Sequence, residues 1–517
     1  MPRYITTPIY YVNDKPHIGH AYTSVAADVM ARWWRLSGED VYLLTGTDEH
    51  GQKVEKAAAD AGEAPQAFTD RVSQAFRDLT GTMGLSNNGF IRTTEKRHYE
   101  ACQALWKRLE ENGHIYLGAY EGWYAVRDEA FYGEDELTER DGVKYAPSGA
   151  PVAWVKEPSY FFRLSAFADK LLDFYDKHPD FILPASRRNE VIAFVKSDLR
   201  DLSISRTSFA WGVPVPGDAS HVMYVWLDAL TNYITALGYP TDPEGLWKFW
   251  PADIHFVGKD ILRFHAIYWP AFLMGAGLPL PGRVFAHGWW TNEGQKISKS
   301  LGNVIDPVAL VDEFGLDAVR YFMLREVPFG QDGDFSRKAL VNRLNGELAD
   351  ALGNLANRVL SLIQRNCEGK LPAQRLDVSE DRRPLAVHIE FLMSGGKGMQ
   401  LGPEGLARLM EVQRFDLALS DIMTVVRDAN AYITGTAPWA LKKTDFAEME
   451  RVLRELHDAI RACATFLQPF MPGTMAKLLD QLGVPADQRD FAALATPLPA
   501  GIALPSPSPL FTKVIGS

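Results

Sequence analysis

The chain has 517 residues, 46% of them hydrophobic, and 54 Lys and Arg against 65 Asp and Glu give it a net charge of −11. This length is too great for one hydrophobic core and predicts two to four domains, and the acidic balance argues against an indiscriminate nucleic-acid binder. The sequence has no apolar run of about 18 residues that would predict a membrane span, and it has no secretory signal pattern. Its three cysteines are too widely spaced for a Cys-x-x-Cys metal pair. We therefore expect a protein of the reducing cytoplasm.

The first predicted elements are a strand and a helix. Residues 4–11 are rich in Tyr, Ile and Thr, which favours a β-strand, and from Ile18 the apolar residues repeat with helical spacing. His17, Gly19 and His20 therefore lie at a helix N-terminus, where unpaired N–H groups and the helix dipole favour an anion. Two imidazoles around a glycine suit a triphosphate, although ordinary polar residues at a helix start would give the same pattern.

Strand and helix patterns then alternate, with strands over residues 40–46 and 90–92 and helices over residues 52–61, 65–83 and 95–111. Alternation with short connections predicts an α/β fold with a doubly wound, Rossmann-like parallel sheet. Such sheets bind ligands at the carboxyl ends of their strands. His17 and Asp48 both fall at such ends.

The alternation stops near residue 115. The next 43 or so residues are rich in Tyr, Trp, Gly, Asp and Glu with short β-like runs, and a helical stretch is predicted over residues 159–178. Strand and helix patterns resume near residue 223. We therefore predict a catalytic domain split by a small α+β module, with the first half at residues 1–114, the insertion at 115–222 and the second half at 223–292.

Beyond Gly330 the pattern is almost wholly helical. Apolar residues form one stripe along residues 341–362, which predicts a single long helix, and further helices are predicted over residues 405–434 and 445–466. A helical bundle is the simplest interpretation. The predicted boundaries are a connecting region at 293–340, the bundle at 341–496 and an extended tail at 497–517.

A second motif, K-I-S-K-S at residues 296–300, lies far downstream of H-I-G-H at residues 17–20. In this order the two resemble the signature motifs of class I aminoacyl-tRNA synthetases. Nearly the whole chain resembles the methionyl-tRNA synthetase family within that class, through the segments T-P-I-Y-Y-V-N, G-T-D-E-H-G, Y-F-F-R, D-L-S-I-S-R, V-W-L-D-A, F-V-G-K-D-I-L-R-F-H, H-G-W-W and N-L-A-N-R.

The resemblance implies an activity and its partners. L-Methionine would attack the α-phosphorus of Mg-ATP to give methionyl-adenylate, and the 3′-terminal ribose of tRNA(Met) would then accept the methionyl group. Neither step needs a protein nucleophile, so catalysis would rest on positioning and on stabilising phosphate charge. ATP and its Mg²⁺ are the expected cofactors.

Carried over position by position, the resemblance implies four groups of residues. The catalytic group comprises His17, His20, Lys296 and Lys299. ATP would contact His17, Gly19, His20, Gly258, Asp260, His287, Gly288, Trp289 and Lys299. The methionine pocket would comprise Ile9, Tyr11, Asp48, Trp226, Ala229, Tyr233, Ile261 and His265. The anticodon would be bound in the helical domain by Asn354, Arg358 and Trp439, with phosphate contacts from Arg365, Lys442 and Lys443, while residues 293–340 would supply the K-I-S-K-S loop and stem contacts.

The sequence departs from part of the family in the insertion. Many members bind zinc there through cysteines, but residues 118–158 contain none. A site of His114, Asp128 and Glu129 is conceivable, yet tetrahedral zinc prefers Cys and His ligands, so we expect no structural zinc. The sequence also shows no added C-terminal oligonucleotide-binding domain, and we expect a monomer.

Three alternatives stay open at this point. The nearest is another class I synthetase, for an aliphatic amino acid or cysteine, which the methionine-pocket matches disfavour. The second is a nucleotidyltransferase with the same histidine motif, which would have no use for the helical domain. The third is a non-catalytic RNA-binding paralogue, which the intact histidine and lysine motifs disfavour.

Overall fold

The computed structural model describes residues 1–12, 15–128, 130–242, 244–297, 303–374, 384–394 and 405–515. The chain forms two compact units. The first comprises Met1–Ala27, Val41–Gly81 and Leu85–His287, and the second comprises Asp28–Asp40, Thr82–Gly84 and Gly288–Ser517. Within the described ranges, no helix is long and apolar enough to cross a membrane.

The N-terminal part of the chain alternates strands and helices, as its pattern predicts. Its elements are β1 (Pro2–Tyr11), α1 (Ile18–Leu36), β2 (Asp40–Asp48), α2 (Gln52–Asp60), α3 (Pro65–Thr82), β3 (Gly89–Arg92) and α4 (Lys96–Glu111). Gly38, with a φ of 84°, allows the left-handed turn after α1 that leads into β2.

The next part of the chain is rich in short strands. Its elements are β4 (Ile115–Ala125), β5 (Ala130–Tyr132), β6 (Thr138–Arg140), β7 (Val143–Tyr145), β8 (Ala153–Phe162), α5 (Ala168–Lys177), β9 (Ile182–Leu183), α6 (Ala185–Asp198), β10 (Leu202–Ser203), β11 (Ser205–Arg206), β12 (Pro214–Val215) and β13 (Asp218–Met223). The prediction of a helical stretch from residue 159 is wrong at its start. Ser159 to Phe162 continue β8, because they pair with β4 in an antiparallel ladder, and α5 begins only at Ala168.

The remaining elements of the first unit are α7 (Val225–Thr235), β14 (Ile254–Gly258), α8 (Trp269–Ala276) and β15 (Val284–His287). Its main sheet has six strands in the order β3-β2-β1-β14-β15-β9. The β1–β14, β14–β15, β15–β9 and β2–β3 pairs are parallel, which confirms the Rossmann-like fold. The strand order reverses between β1 and β14, so the crevice at their carboxyl ends is where such a sheet binds ligands.

The C-terminal segment of the second unit, from Gly288, begins with a small sheet and two helices. These are β16 (Trp290–Asn292), β17 (Gln295–Lys296), α9 (Pro307–Phe314), α10 (Leu316–Arg325) and β18 (Gly333–Phe335). Its helical part contains α11 (Arg337–Arg343), α12 (Asn354–Asn366), α13 (Pro384–Ser394), α14 (Gly405–Glu411), α15 (Phe415–Thr436), α16 (Pro438–Thr444), α17 (Phe446–Leu467) and α18 (Pro472–Gln481). The predicted bundle is confirmed.

Two helix predictions in this bundle need correction. The helix predicted over residues 405–434 is two helices, because Gln413 adopts a left-handed φ of 55° between α14 and α15. The stripe along residues 341–362 is helical throughout, but a π-helical stretch, Leu344–Gly353, joins α11 to α12. Apolar spacing reveals neither feature, since both leave the buried stripe nearly continuous.

Candidate active site

His17 and His20 lie at the N-terminal end of α1, directly after β1, and their rings are 3.9 Å apart. Nδ1 of His20 accepts the backbone N–H of His17 at 3.1 Å, and Nδ1 of His17 accepts that of Gly19 at 3.1 Å. Because each Nδ1 is an acceptor, the proton of each neutral ring lies on Nε2. The turn therefore presents two Nε2–H donors.

Burial keeps both imidazoles neutral. It lowers the pKa of His17, against the opposing effect of the Asp260 carboxylate, and burial together with the neighbouring His17 holds the pKa of His20 well below its usual value. The rings of Tyr10 and Phe76 lie 4.8 and 5.2 Å from that of His20 and form part of its surroundings. Near pH 7 the pair can donate hydrogen bonds to phosphate oxygens without a charge of its own.

The ends of β14 and β15 contribute Asp260 and His287. Asp260 follows β14, and its carboxylate folds back over the strand end, where a Cβ at Gly258 would lie 2.5 Å from Oδ1. His287 ends β15, and its Nε2 lies 2.6 Å from the hydroxyl of Thr23, which donates to the carbonyl of Gly19 at 3.0 Å. Thr23 thus joins His287 to the histidine turn, and the Asp260 carboxylate acts on His17 through its charge, at the point where the strand order reverses.

Tyr233, His265 and Ile261 form a buried chain of hydrogen bonds. Nδ1 of His265 donates to the carbonyl of Ile261 at 3.0 Å, so its Nε2 accepts the hydroxyl of Tyr233 at 2.7 Å. Burial lowers the pKa of His265 to about 4, which keeps the ring neutral. Burial also raises the pKa of Tyr233, and the nearby Asp48 carboxylate adds to that rise, which connects the end of β2 with this cluster.

Aromatic side chains surround the same cluster. The ring of Trp226 lies 6.1 Å from that of His265 and stacks on Phe264 with 3.7 Å between centroids. Phe264, which the sequence prediction did not include, therefore lies directly against a residue predicted to line the methionine pocket. It begins a π-helical turn, Phe264–Tyr268, whose extra residue changes the face on which a side chain falls. Of the other predicted pocket residues, Ala229 is buried, and Ile9, Tyr11 and Ile261 are partly buried against the same core.

The second unit contains the remaining residues predicted to contact ATP. Trp289 is 46% exposed, and its backbone N–H donates to Asp332 at 2.8 Å. Gly288 must lack a side chain, because a Cβ there would collide with the backbone of Gln331. Lys296 ends β17, where its backbone pairs with Thr291, and Lys299 lies outside the described residues.

The structure brings together two of the three residues predicted to bind the anticodon. The guanidinium carbon of Arg358 lies 6.0 Å from the centre of the Trp439 ring, in cation–π range. Trp439 is 48% exposed, although aromatic residues of this size are usually buried more deeply. Asn354, one helical turn before Arg358, is exposed, as are the predicted phosphate contacts Arg365, Lys442 and Lys443.

The insertion does not bring His114 and Asp128 together. They flank opposite ends of β4, an 11-residue strand, which separates them by about 30 Å. Asp128 instead accepts hydrogen bonds from Tyr132, at 3.0 Å, and from Ser148, and the His114 ring lies edge-on against Phe167. Glu129 lies outside the described residues.

We therefore expect the purified protein to contain no stoichiometric zinc. EDTA should leave its activity and melting temperature unchanged once excess Mg²⁺ is restored, because Asp128 is already hydrogen-bonded to Tyr132 and Ser148 and lies far from His114. Elemental analysis that found one zinc per chain would contradict this expectation.

Among the described residues, His98, Cys102 and Asp228 have ligand atoms within 4.8 Å of one another. All three are fully buried, and they already contact each other, with Nε2 of His98 2.7 Å from Oδ1 of Asp228 and 3.2 Å from Sγ of Cys102. This polar cluster satisfies itself without an ion. Sequence spacing gives no sign of it, since Asp228 lies 130 residues from His98.

Two family models together match most of the chain. The one described as tRNA synthetases class I (M) matches residues 3–360, and the one described as the anticodon binding domain of methionyl tRNA ligase matches residues 404–517. Curated relatives include methionine–tRNA ligases of Brucella suis biovar 1 (strain 1330), 55% identical over 99% of this chain and 98% of the relative, and of Rickettsia felis (strain ATCC VR-1525 / URRWXCal2), 56% identical over the same shares.

Solved structures give the same result. The Mycobacterium tuberculosis methionyl-tRNA synthetase in complex with methionyl-adenylate has a TM-score of 0.94 and 48% identity, covering 99% of both chains. The apo form of the Mycobacterium tuberculosis enzyme has a TM-score of 0.89 and 44% identity, covering 100% of this chain and 99% of that one.

Proposed function

The chain belongs to the methionyl-tRNA synthetases of class I and is a methionine–tRNA ligase, and we propose which of its residues perform each part of the reaction. The observation that supports the proposal most directly is the histidine turn, whose two neutral Nε2–H donors lie where the strand order reverses. A triphosphate bound there would meet donors that are already fixed in place.

In the first step, the carboxylate of L-methionine attacks the α-phosphorus of Mg-ATP, and pyrophosphate leaves. His17 and His20 donate to phosphate oxygens, and Lys296 and Lys299 add positive charge from the K-I-S-K-S loop. Asp260 accepts from ribose hydroxyls beside Gly258, and the segment His287 to Trp289 lies against adenine. The catalytic contribution is preorganised hydrogen bonding and charge, without a covalent enzyme intermediate.

Methionine binds among the residues gathered around Tyr233 and His265. The Asp48 carboxylate receives the substrate ammonium group. Trp226, together with Phe264 and Tyr11, surrounds the thioether, which packs well against aromatic edges. Neutral His265 fixes the Tyr233 hydroxyl through a 2.7 Å hydrogen bond, so the pocket has a defined polar end, while Ile9, Ala229 and Ile261 complete its apolar wall.

In the second step, the terminal ribose hydroxyl of tRNA(Met) attacks the adenylate, and AMP leaves. We propose that the anticodon binds at Asn354, Arg358 and Trp439, because unstacked bases are held by aromatic stacking and by amide or guanidinium hydrogen bonds to their edges. The exposed Trp439 ring beside Arg358 offers both kinds of contact. Arg365, Lys442 and Lys443 supply phosphate contacts on an otherwise acidic protein.

Trp439→Ala should lower the efficiency of methionyl-tRNA formation at least roughly tenfold, because stacking is worth about 1–3 kcal/mol per base and about 1.4 kcal/mol is a decade. Methionine-dependent pyrophosphate exchange, which needs no tRNA, should stay near wild type. Trp439→Phe is the matched control, since it keeps an aromatic face and should recover most of the loss. If charging and exchange fall together in Trp439→Ala, the residue has a structural role and the anticodon assignment is wrong.

The domain boundaries given above, the cytoplasmic location and the monomeric state also belong to this proposal. The absence of disulfides among Cys102, Cys367 and Cys463 is what a reducing compartment favours. Mg²⁺ enters the reaction as part of the Mg-ATP substrate.

A further inference from the structure

Helix α7 presents two different faces. Trp226, Ala229 and Tyr233 recur at i, i+3 and i+7 and therefore share one face, which borders the methionine pocket. Asp228 lies about 200° around the helix from Trp226, because each residue advances about 100°, and it shares its face with Thr235. The Asp228 side chain is fully buried, so whatever holds its carboxylate also fixes the rotation of the helix.

Two buried histidines hold that carboxylate. Nδ1 of His50 donates to Oδ2 of Asp228 at 2.7 Å, and Nε2 of His98 donates to Oδ1 at 2.7 Å. The second nitrogen of each ring lies near a hydroxyl, Tyr99 at 2.8 Å for His50 and Thr235 at 3.1 Å for His98. Burial alone would raise the pKa of Asp228, but the two histidines outweigh it and keep the group ionised.

His50 belongs to the segment that carries Asp48. Within this segment, the backbone carbonyl of Asp48 accepts the N–H of Val12 at 3.1 Å, and the Glu49 carboxylate accepts two hydrogen bonds from Arg92, at 2.7 and 2.9 Å. These contacts fix the segment relative to β1 and β3. The hydrogen bond from His50 to Asp228 joins the same segment to α7, which lies 178 residues further along the chain.

We propose that Asp228, through His50, is a positioning residue that sets the Asp48 carboxylate relative to the pocket face of α7. This inference rests on the proposed binding of methionine between Asp48 and Trp226, Ala229 and Tyr233. When the link is broken, α7 and the Asp48 segment shift independently, and the ammonium and thioether contacts of methionine no longer form together. The ATP contacts at the histidine turn do not depend on this link.

His50→Gln breaks the link while keeping a polar side chain. The amide of glutamine takes the place of Nε2, near Tyr99, but has no group at the position of Nδ1. Since a misplacement of 1 Å costs up to about 10²-fold, we expect the KM for methionine in pyrophosphate exchange to rise about tenfold. The KM for ATP should stay within about twofold of wild type. If His50 had only a structural role, His50→Gln would lower the melting temperature without raising the KM for methionine more than the KM for ATP.

Two matched variants complete the experiment. His50→Asn places an amide N–H near the position of Nδ1 and should bring the methionine KM back to within about threefold of wild type. His98→Asn removes the other hydrogen bond to the same carboxylate, from an equally buried histidine that does not belong to the Asp48 segment. It should raise the methionine KM clearly less than His50→Gln does, because His50 still joins Asp228 to that segment. If His50→Gln fails to fold, Tyr99→Phe loosens the His50 ring from its outer side and should raise the methionine KM about threefold.

An unchanged methionine KM in His50→Gln, an equal rise in His98→Asn, or no recovery in His50→Asn would each overturn the positioning role. Should His50→Gln not fold, an unchanged methionine KM in Tyr99→Phe would do the same. These outcomes would not contradict the proposed function, because the wild-type protein would still catalyse methionine-dependent pyrophosphate exchange. A wild-type protein without methionine-dependent exchange would overturn the proposed function and the positioning role together.

Discussion

Lys299→Ala should lower the rate of methionine-dependent pyrophosphate exchange by about 10²-fold or more. The second lysine of K-I-S-K-S is proposed to contact the phosphate oxygens on which charge develops as pyrophosphate leaves. Loss of one preorganised donor at such a position typically costs about 10²–10³-fold in rate. Because the contact forms in the transition state, the effect should appear in kcat more than in the KM for methionine.

The control for this variant is an exposed lysine that belongs to none of the proposed contact groups. Lys96 on α4 has a side chain that is 91% exposed, and Lys96→Ala should exchange at the wild-type rate. Methionine binding without ATP, measured by calorimetry, should be the same in Lys299→Ala and wild type. Near-normal exchange in Lys299→Ala would remove this residue from the mechanism.

His20→Asn should lower the exchange rate by about 10²-fold, because it removes the Nε2–H donor while keeping an amide group near the position of Nδ1. That amide preserves the hydrogen bond that His20 accepts from the backbone of His17 at 3.1 Å, so the turn itself should persist. The expected decrease in rate is the one that follows the loss of a single hydrogen-bond donor to the phosphate oxygens on which charge develops in the transition state. Pyrophosphate-exchange assays at saturating methionine and ATP measure this decrease in rate directly.

His20→Gln is the matched variant. Its amide nitrogen reaches the position of Nε2, so it should retain about tenfold more activity than His20→Asn. Both variants remove the same ring from its edge-on contacts with Tyr10 and Phe76, and they should therefore lose similar amounts of thermal stability. Equal activity of the two variants would show that the Nε2–H group is not the donor that matters.

The elements around the site could be predicted because their signals are local. The strand before His17 and the helix after it follow from the change in apolar period at Ile18, and the structure places α1 at that residue. The end of β8 could not be predicted in this way. Residues such as Phe161 and Phe162 are compatible with either state, and pairing with Tyr116 and Ile115 on β4 decides for a strand.

The residues with proposed functions also differ in whether their signals in the sequence are local. The proposed roles of His17 and Lys299 could be predicted from the sequence, because both residues lie inside recognisable motifs. Phe264, His50 and Asp228 acquire their proposed roles from contacts with residues that are distant in the sequence. His50 and Asp228, for example, are 178 residues apart. Apolar spacing and local motifs do not reveal such pairs, because both depend on residues that are close together along the chain.

Activation of methionine by this chain can be measured as amino-acid-dependent exchange of pyrophosphate into ATP. The purified protein should be assayed with Mg-ATP and each of the twenty amino acids in turn. We expect methionine to support rapid exchange, and leucine, isoleucine, valine and cysteine to support at most a small fraction of that rate. Faster exchange with any of these four than with methionine, or no exchange with methionine, would contradict the assignment of methionine as the substrate.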